Sequence, residues 1–130
     1  WQPDDAIEAG MAMNKLFDQQ LADITKRPMA IDLYDTEGNL RQGLAVNCTP
    51  NFSSEAGNIL AKKSETFGMT WVLSSDGSIN VSLRSIGNYD VSAIARNYGG
   101  GGHRNAAGFK VPFDKFSLVG VLNTTLVISK

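Results

Sequence analysis

Four glycines stand in a row at Gly99–Gly102, followed by His103, and this run restricts the fold more than any other segment. A glycine loses more backbone freedom on folding than any other residue, so four together are costly inside a regular element. The run lies between a segment that reads as a short helix, Val91–Asn97, and one that reads as a strand, Ala106–Val111. Two uses fit it. Glycines let backbone N–H groups converge on one anion with no Cβ intervening, and His103 adds a donor, or a positive charge when protonated, at the rim. A structural loop is the other use. Two familiar phosphate loops are excluded. GxxxxGK[ST] finds no lysine and hydroxyl at the required spacing, and GxGxxG cannot be laid on residues 99–108.

Upstream, Pro3–Ile24 carries Ile7, Met11, Phe17, Leu21 and Ile24 on a three-to-four spacing, which predicts an amphipathic helix. Pro28 ends it, because the residue before a proline avoids helical angles. Met29–Tyr34 and Leu40–Cys48 read as strands joined by the turn Asp35–Asn39. Thr49–Phe52 reads as a loop, and a helix is expected over Ser54–Thr66 with Glu55 in its first turn. Met69–Ser74 and Ser78–Ser85 form a hairpin around Ser75-Asp76-Gly77. Asp90 is placed to N-cap the helix Val91–Asn97, and Phe113–Ser129 fits helix or strand equally. The expected class is α/β: a single domain with a mixed sheet of about five strands and flanking helices. Residues 1–28 form an N-terminal helix and linker region, and residues 29–111 the core.

The strand Ser78–Ser85 has two faces. With a period of two, Ile79, Val81 and Leu83 point one way and Asn80, Ser82 and Arg84 the other. The apolar row is core. The polar row is either a solvated surface or a binding face, where the planar fork of Arg84 suits a phosphate or a base edge.

Composition narrows the function classes. At 130 residues the chain makes one compact domain. A formal net charge of −1 supplies no general positive field for nucleic acid or membrane, so any anion must be held by a local site. The single cysteine, Cys48, excludes an internal disulfide and a cysteine-based zinc site. It reads as a buried strand residue, not a nucleophile, in a chain expected in the reducing cytoplasm. No apolar run approaches the ~20 residues that span a bilayer, and no membrane partner is expected. The opening Trp1-Gln2-Pro3-Asp4-Asp5 has no signal-peptide layout and no initiator Met, which reads as a fragment of a longer chain.

The segment Gly100-Gly101-Gly102-His103-Arg104-Asn105-Ala106-Ala107-Gly108-Phe109 resembles the GGGHxxAAGF motif of the DHHA1 domain. Val81-Ser82-Leu83-Arg84-Ser85 is similar to that domain's SLRS strand, and Asp90-Val91-Ser92-Ala93-Ile94-Ala95 to its DVSxIA helix. Ser54-Glu55-Ala56-Gly57-Asn58 resembles the start of an earlier helix, so the likeness runs over residues 45–111. DHHA1 is the C-terminal, substrate-binding half of DHH-superfamily phosphoesterases. The resemblance implies that Gly100, Gly101, Gly102 and His103 grip a phosphate and that Arg84 contacts phosphate or base. It also implies a DHH catalytic domain, on the same or another chain, that holds two manganese ions. Short oligonucleotides or dinucleotides are the implied substrates, and a homodimer is an allowed state.

The chain departs from the full enzyme in one respect. His103 is its single histidine, so the metal motif of the DHH half is absent. Asp32, Asp35 and Glu37 sit in and beside a hairpin and read as strand-edge and turn residues, whereas a two-metal centre needs a convergent cluster. The chain is therefore expected to hold no catalytic residue, metal or cofactor of its own, and to be part of a hydrolase that is inactive alone. The alternative is an RNA-binding module related to the DHHA1 domain of alanyl-tRNA synthetases, or a dimerisation module in which Trp1 or Trp71 marks a contact, although Trp71 reads better as a strand-core residue. The absence of a basic stripe argues against RNA binding.

Overall fold

A computed structural model of the chain describes residues 3–118 and 121–122, with side chains from residue 13 to residue 116. The elements are α1 (Pro3–Ile24), β1 (Met29–Tyr34), β2 (Leu40–Asn47), α2 (Pro50–Ser64), β3 (Phe67–Leu73), β4 (Ser78–Ser85), α3 (Ser92–Asn97), β5 (Gly101–His103), β6 (Ala106–Pro112), a 3-10 turn (Phe113–Leu118) and β7 (Val121–Leu122). All strands join one sheet in the order β5-β6-β4-β3-β2-β1-β7. The β2–β3 pair is parallel and the other neighbours are antiparallel. A parallel pair needs a long crossover, and α2 supplies it. The class is the expected mixed α/β sheet. Its five long strands are those read from the sequence, and β5 and β7 are short additions at the two edges.

Each face of the sheet buries its own core. On one face Ile31, Leu33, Phe67, Met69, Ile79, Val81 and Leu83 pack with Val91, Ile94 and Ala95 around α3. On the other, Val46 and Cys48 meet Phe52, Ala56 and Leu60 of α2 and Leu21 of α1. Phe17 stacks on Phe52 at 4.8 Å, and Ile24 packs on the same cluster, so the expected apolar stripe of α1 is used from Phe17 onward. The side chains of Ile7 and Met11 lie outside the described residues. Trp71 packs against the first core, with its ring 5.2 Å from Phe116. Trp1 lies outside the described residues.

Several boundaries differ from expectation. Helix α2 begins at Pro50, four residues before Ser54, because proline at the first helical position needs no N–H and already has a helical φ. Glu55 consequently falls in the second turn, and the first turn has no acidic residue. Helix α2 ends at Ser64 and is capped by Glu65, whose φ of 63° is left-handed. Helix α3 begins at Ser92, with Asp90 accepting the Ser92 N–H at 2.9 Å from two residues upstream. Strand β3 starts at Phe67, earlier than Met69, and β2 ends at Asn47, leaving buried Cys48 just beyond it. Within the ambiguous tail, residues 113–118 form the 3-10 turn and 121–122 form β7, while residues 119–120 and 123–129 lie outside the described set.

Candidate functional site

Strand register brings the two sequence motifs onto one surface. Arg84 pairs with Gly68 on β3 and with Ala106 on β6, and Ala106 pairs in turn with His103 on β5. Residues directly opposite one another in adjacent strands share a face. Gly68, Arg84, Ala106 and His103 therefore form one row across four strands. The next row is Thr70, Ser82, Gly108 and Gly101, and the third is Val72, Asn80 and Lys110. These rows lie on the α2 face, opposite the buried Ile79, Val81 and Leu83, as the alternation in β4 predicts. Ala106 lies between Arg84 and His103, and Gly108 and Gly101 in the next row keep the floor beside it low. At two strand spacings, Arg84 and His103 stand about 10 Å apart across the sheet.

Helix α2 sets the position of Arg84. Its Nη2 donates to Ser54 Oγ at 2.8 Å, and its aliphatic stem lies against the helix backbone. A Cβ at residue 57 would stand 2.6 Å from Arg84 Cγ, so Gly57 makes room for the stem. Gly68 serves the same approach, since a Cβ there would run into the Gly57 carbonyl and Leu60. Among the described residues the ion pairs are Arg41–Asp35 and Lys110–Asp76, so Arg84, half-buried, has no carboxylate partner there. A guanidinium held between helix and sheet with only a hydroxyl partner favours an incoming anion.

Only the first half of the glycine tract is the loop expected between α3 and β6; its second half is a strand. Gly99 and Gly100 donate to the carbonyls of Arg96 and Ala95 at 3.1 and 2.9 Å, closing α3. Gly101–His103 then form the edge strand β5, which turns at Arg104-Asn105 into β6. The Gly100 N–H is therefore committed to α3 and not to a convergent anion nest. The glycines also divide by role. A Cβ at Gly100 would collide with the Gly108 carbonyl, and one at Gly102, where φ is 144°, would come within 2.6 Å of Ala107 Cα. At Gly101 nothing lies within 4 Å, and its direction is that of the open floor. His103 is exposed beside it.

Residues not singled out from the sequence brace this arrangement. Asn105 Nδ2 donates to Ser85 Oγ at 2.9 Å and to the Gly87 carbonyl at 3.1 Å. The Ser85 N–H donates to Asn105 O, and the Val91 N–H to Arg104 O. The hairpin tip is thus tied to the end of β4 and the start of α3. The signal for it was the two-residue spacer between His103 and Ala106, a hairpin length.

The acidic residues do different work. Burial raises the Asp35 carboxyl, but the Asn39 N–H, Arg41 and the Glu37 N–H bind it and leave it below the ordinary carboxylate value. The Ser92 hydroxyl and N–H hold Asp90 low against a smaller opposing effect of burial. Burial pushes the Cys48 thiol up, which suits a packing residue better than a nucleophile. Among the described residues no three His, Cys, Asp or Glu side chains come together as a metal site, so these residues do not fit a manganese centre. No described helix is long and apolar enough to cross a membrane.

The chain is 44% identical over 69 residues to oligoribonuclease NrnB of Bacillus subtilis (strain 168), covering 52% of this chain and 17% of that protein. It is 38% identical over 97 residues to uncharacterized protein R106 of Acanthamoeba polyphaga mimivirus, covering 65% of this chain and 23% of the relative. The chain thus spans about a fifth of the length of these relatives. Residues 42–118, more than half the chain, match the DHHA1 domain. That stretch takes in α2, the Arg84 strand and the glycine-histidine hairpin together, and the chain belongs to the DHHA1 domain family, a domain associated with DHH-type phosphoesterases.

Proposed function

We infer that this domain binds the phosphate of a nucleotide substrate for a manganese-dependent DHH-family phosphoesterase acting on short oligonucleotides or dinucleotides. The observation that carries the reading is Arg84, half-buried, without a carboxylate partner among the described residues, and in one row with His103 across a floor of Ala106, Gly108 and Gly101. A phosphate resting on that floor accepts from the Arg84 guanidinium on one side and from His103 on the other. Gly101 leaves space above the strand, while Gly100 and Gly102 hold β5 against β6. The name of the NrnB relative, an oligoribonuclease, supports a short oligonucleotide as the ligand.

In this reading the domain contributes orientation. It holds the scissile phosphate against a nucleophile activated on a DHH catalytic domain, and the chain alone hydrolyses nothing. The test is steady-state kinetics of Arg84→Ala in the full-length enzyme that contains this domain. A charged hydrogen bond is worth roughly 1.5–3 kcal/mol, so kcat/KM falls about ten- to a hundred-fold. The fold survives, because the apolar row of β4 lies on the opposite face. An unchanged kcat/KM with a sharply lowered melting temperature would make Arg84 a structural residue and remove the basis of the proposal.

A further inference from the structure

A cavity of about 230 Å³ opens on the same sheet face, one row beyond Arg84. Its walls are Pro50 and Ser53 from the first turn of α2 and Thr70, Val72, Asn80 and Ser82 from β3 and β4. No lining residue carries a charge. A phosphate would find no cationic side chain here, unlike at Arg84. The walls combine apolar surface from Pro50 and Val72 with neutral donors and acceptors. That is the pattern of a site for a flat, uncharged heterocycle.

Ser53 Oγ is spent on the Pro50 carbonyl at 2.9 Å, but two polar atoms of the cavity remain available. The Asn80 amide nitrogen is bonded to Ser74 Oγ, which leaves Asn80 Oδ1 without a protein partner among the described residues. Ser82 Oγ likewise has no hydrogen bond among the described residues, and it lies two positions before Arg84 on the same face, about 7 Å along the strand. Amides and hydroxyls of this kind read the donor and acceptor edge of a base. We propose that this cavity is a nucleobase subsite, filled by the base of the nucleotide whose phosphate lies on Arg84. The assignment rests on the phosphate reading above for the position of the ligand, and adds the part of the ligand that phosphate contacts leave unread.

The experiment titrates the chain with adenosine monophosphate and with ribose 5-phosphate, followed by amide chemical shifts. It is run on the wild type, Ser82→Val and Arg84→Ala. Adenosine monophosphate should bind at least about ten-fold more tightly than ribose 5-phosphate, with added shifts at Thr70 and Ser82. In Ser82→Val, whose methyls occupy the cavity, that ratio should fall toward one. Equal affinities in the wild type, which needs no variant to fold, would overturn the subsite. So would a preference that Ser82→Val leaves intact. If instead Arg84→Ala binds ribose 5-phosphate as well as the wild type does, the phosphate reading fails. In that case a base preference that is lost in Ser82→Val still upholds the cavity.

Discussion

Gly57 and Arg84 are in direct contact, with the arginine stem lying where a side chain at residue 57 would begin. The missing Cβ at residue 57, with that at Gly68, lets the helix approach the sheet, and the guanidinium is then within reach of Ser54.

Gly57→Ala should therefore act through Arg84. Overpacking of this kind costs about 1–3 kcal/mol, and the stem must swing away from α2 to relieve it. The expected result is a lowered melting temperature together with a weaker affinity for nucleotide phosphate. Calorimetric melts and a binding titration measure the two effects separately.

The glycines of the tract should not behave alike. Alanine at Gly100 or Gly102 meets β6, and at Gly102 it also takes an unfavourable φ, so each should destabilise the domain by about 1–3 kcal/mol. Alanine at Gly101 meets open space at an ordinary φ, so stability should change by less than about 1 kcal/mol while phosphate affinity drops. Thermal melts of the three variants, with titration of Gly101→Ala, decide this.

Stability should depend on Asp35 in acid. Its folded-state value lies below the ordinary one, because three hydrogen bonds to the carboxylate outweigh its burial. Such a group stabilises the fold above its unfolded value, about 3.9, and the contribution is lost as pH falls through the folded value. Asp35→Asn should melt lower than the wild type at pH 7, and the gap should close as pH falls below about 4. Melting curves of both proteins across that range check the sign.

Local pattern carried most of the fold. The alternation of Ile79, Val81 and Leu83 with Asn80, Ser82 and Arg84 predicted both faces of β4, and the three-to-four spacing predicted α1. What local pattern could not carry was contact between distant elements. Nothing near Arg84 in sequence points to Ser54 thirty residues away, and Gly57 and Gly68 look unremarkable until α2 lies on β3. The glycine tract misled for a related reason. Its propensity favours a loop, yet pairing of Gly101–His103 with Ala106–Gly108 makes the second half an edge strand, because tertiary contact overrides local preference. The row that joins Arg84 to His103 is a property of strand order, which no single segment encodes.

The most direct test of phosphate binding is a two-dimensional NMR titration of the chain with adenosine monophosphate. Half of a cleft should bind weakly, with a dissociation constant on the order of millimolar. Shifts should concentrate at Gly101, Gly102 and His103 and at the Arg84 backbone and Nε–H signals, with those of Thr70 and Ser82 beside them, all saturating together. Shifts confined to the exposed Lys62–Lys63 surface of α2, with the Arg84 and His103 signals unmoved, would contradict it.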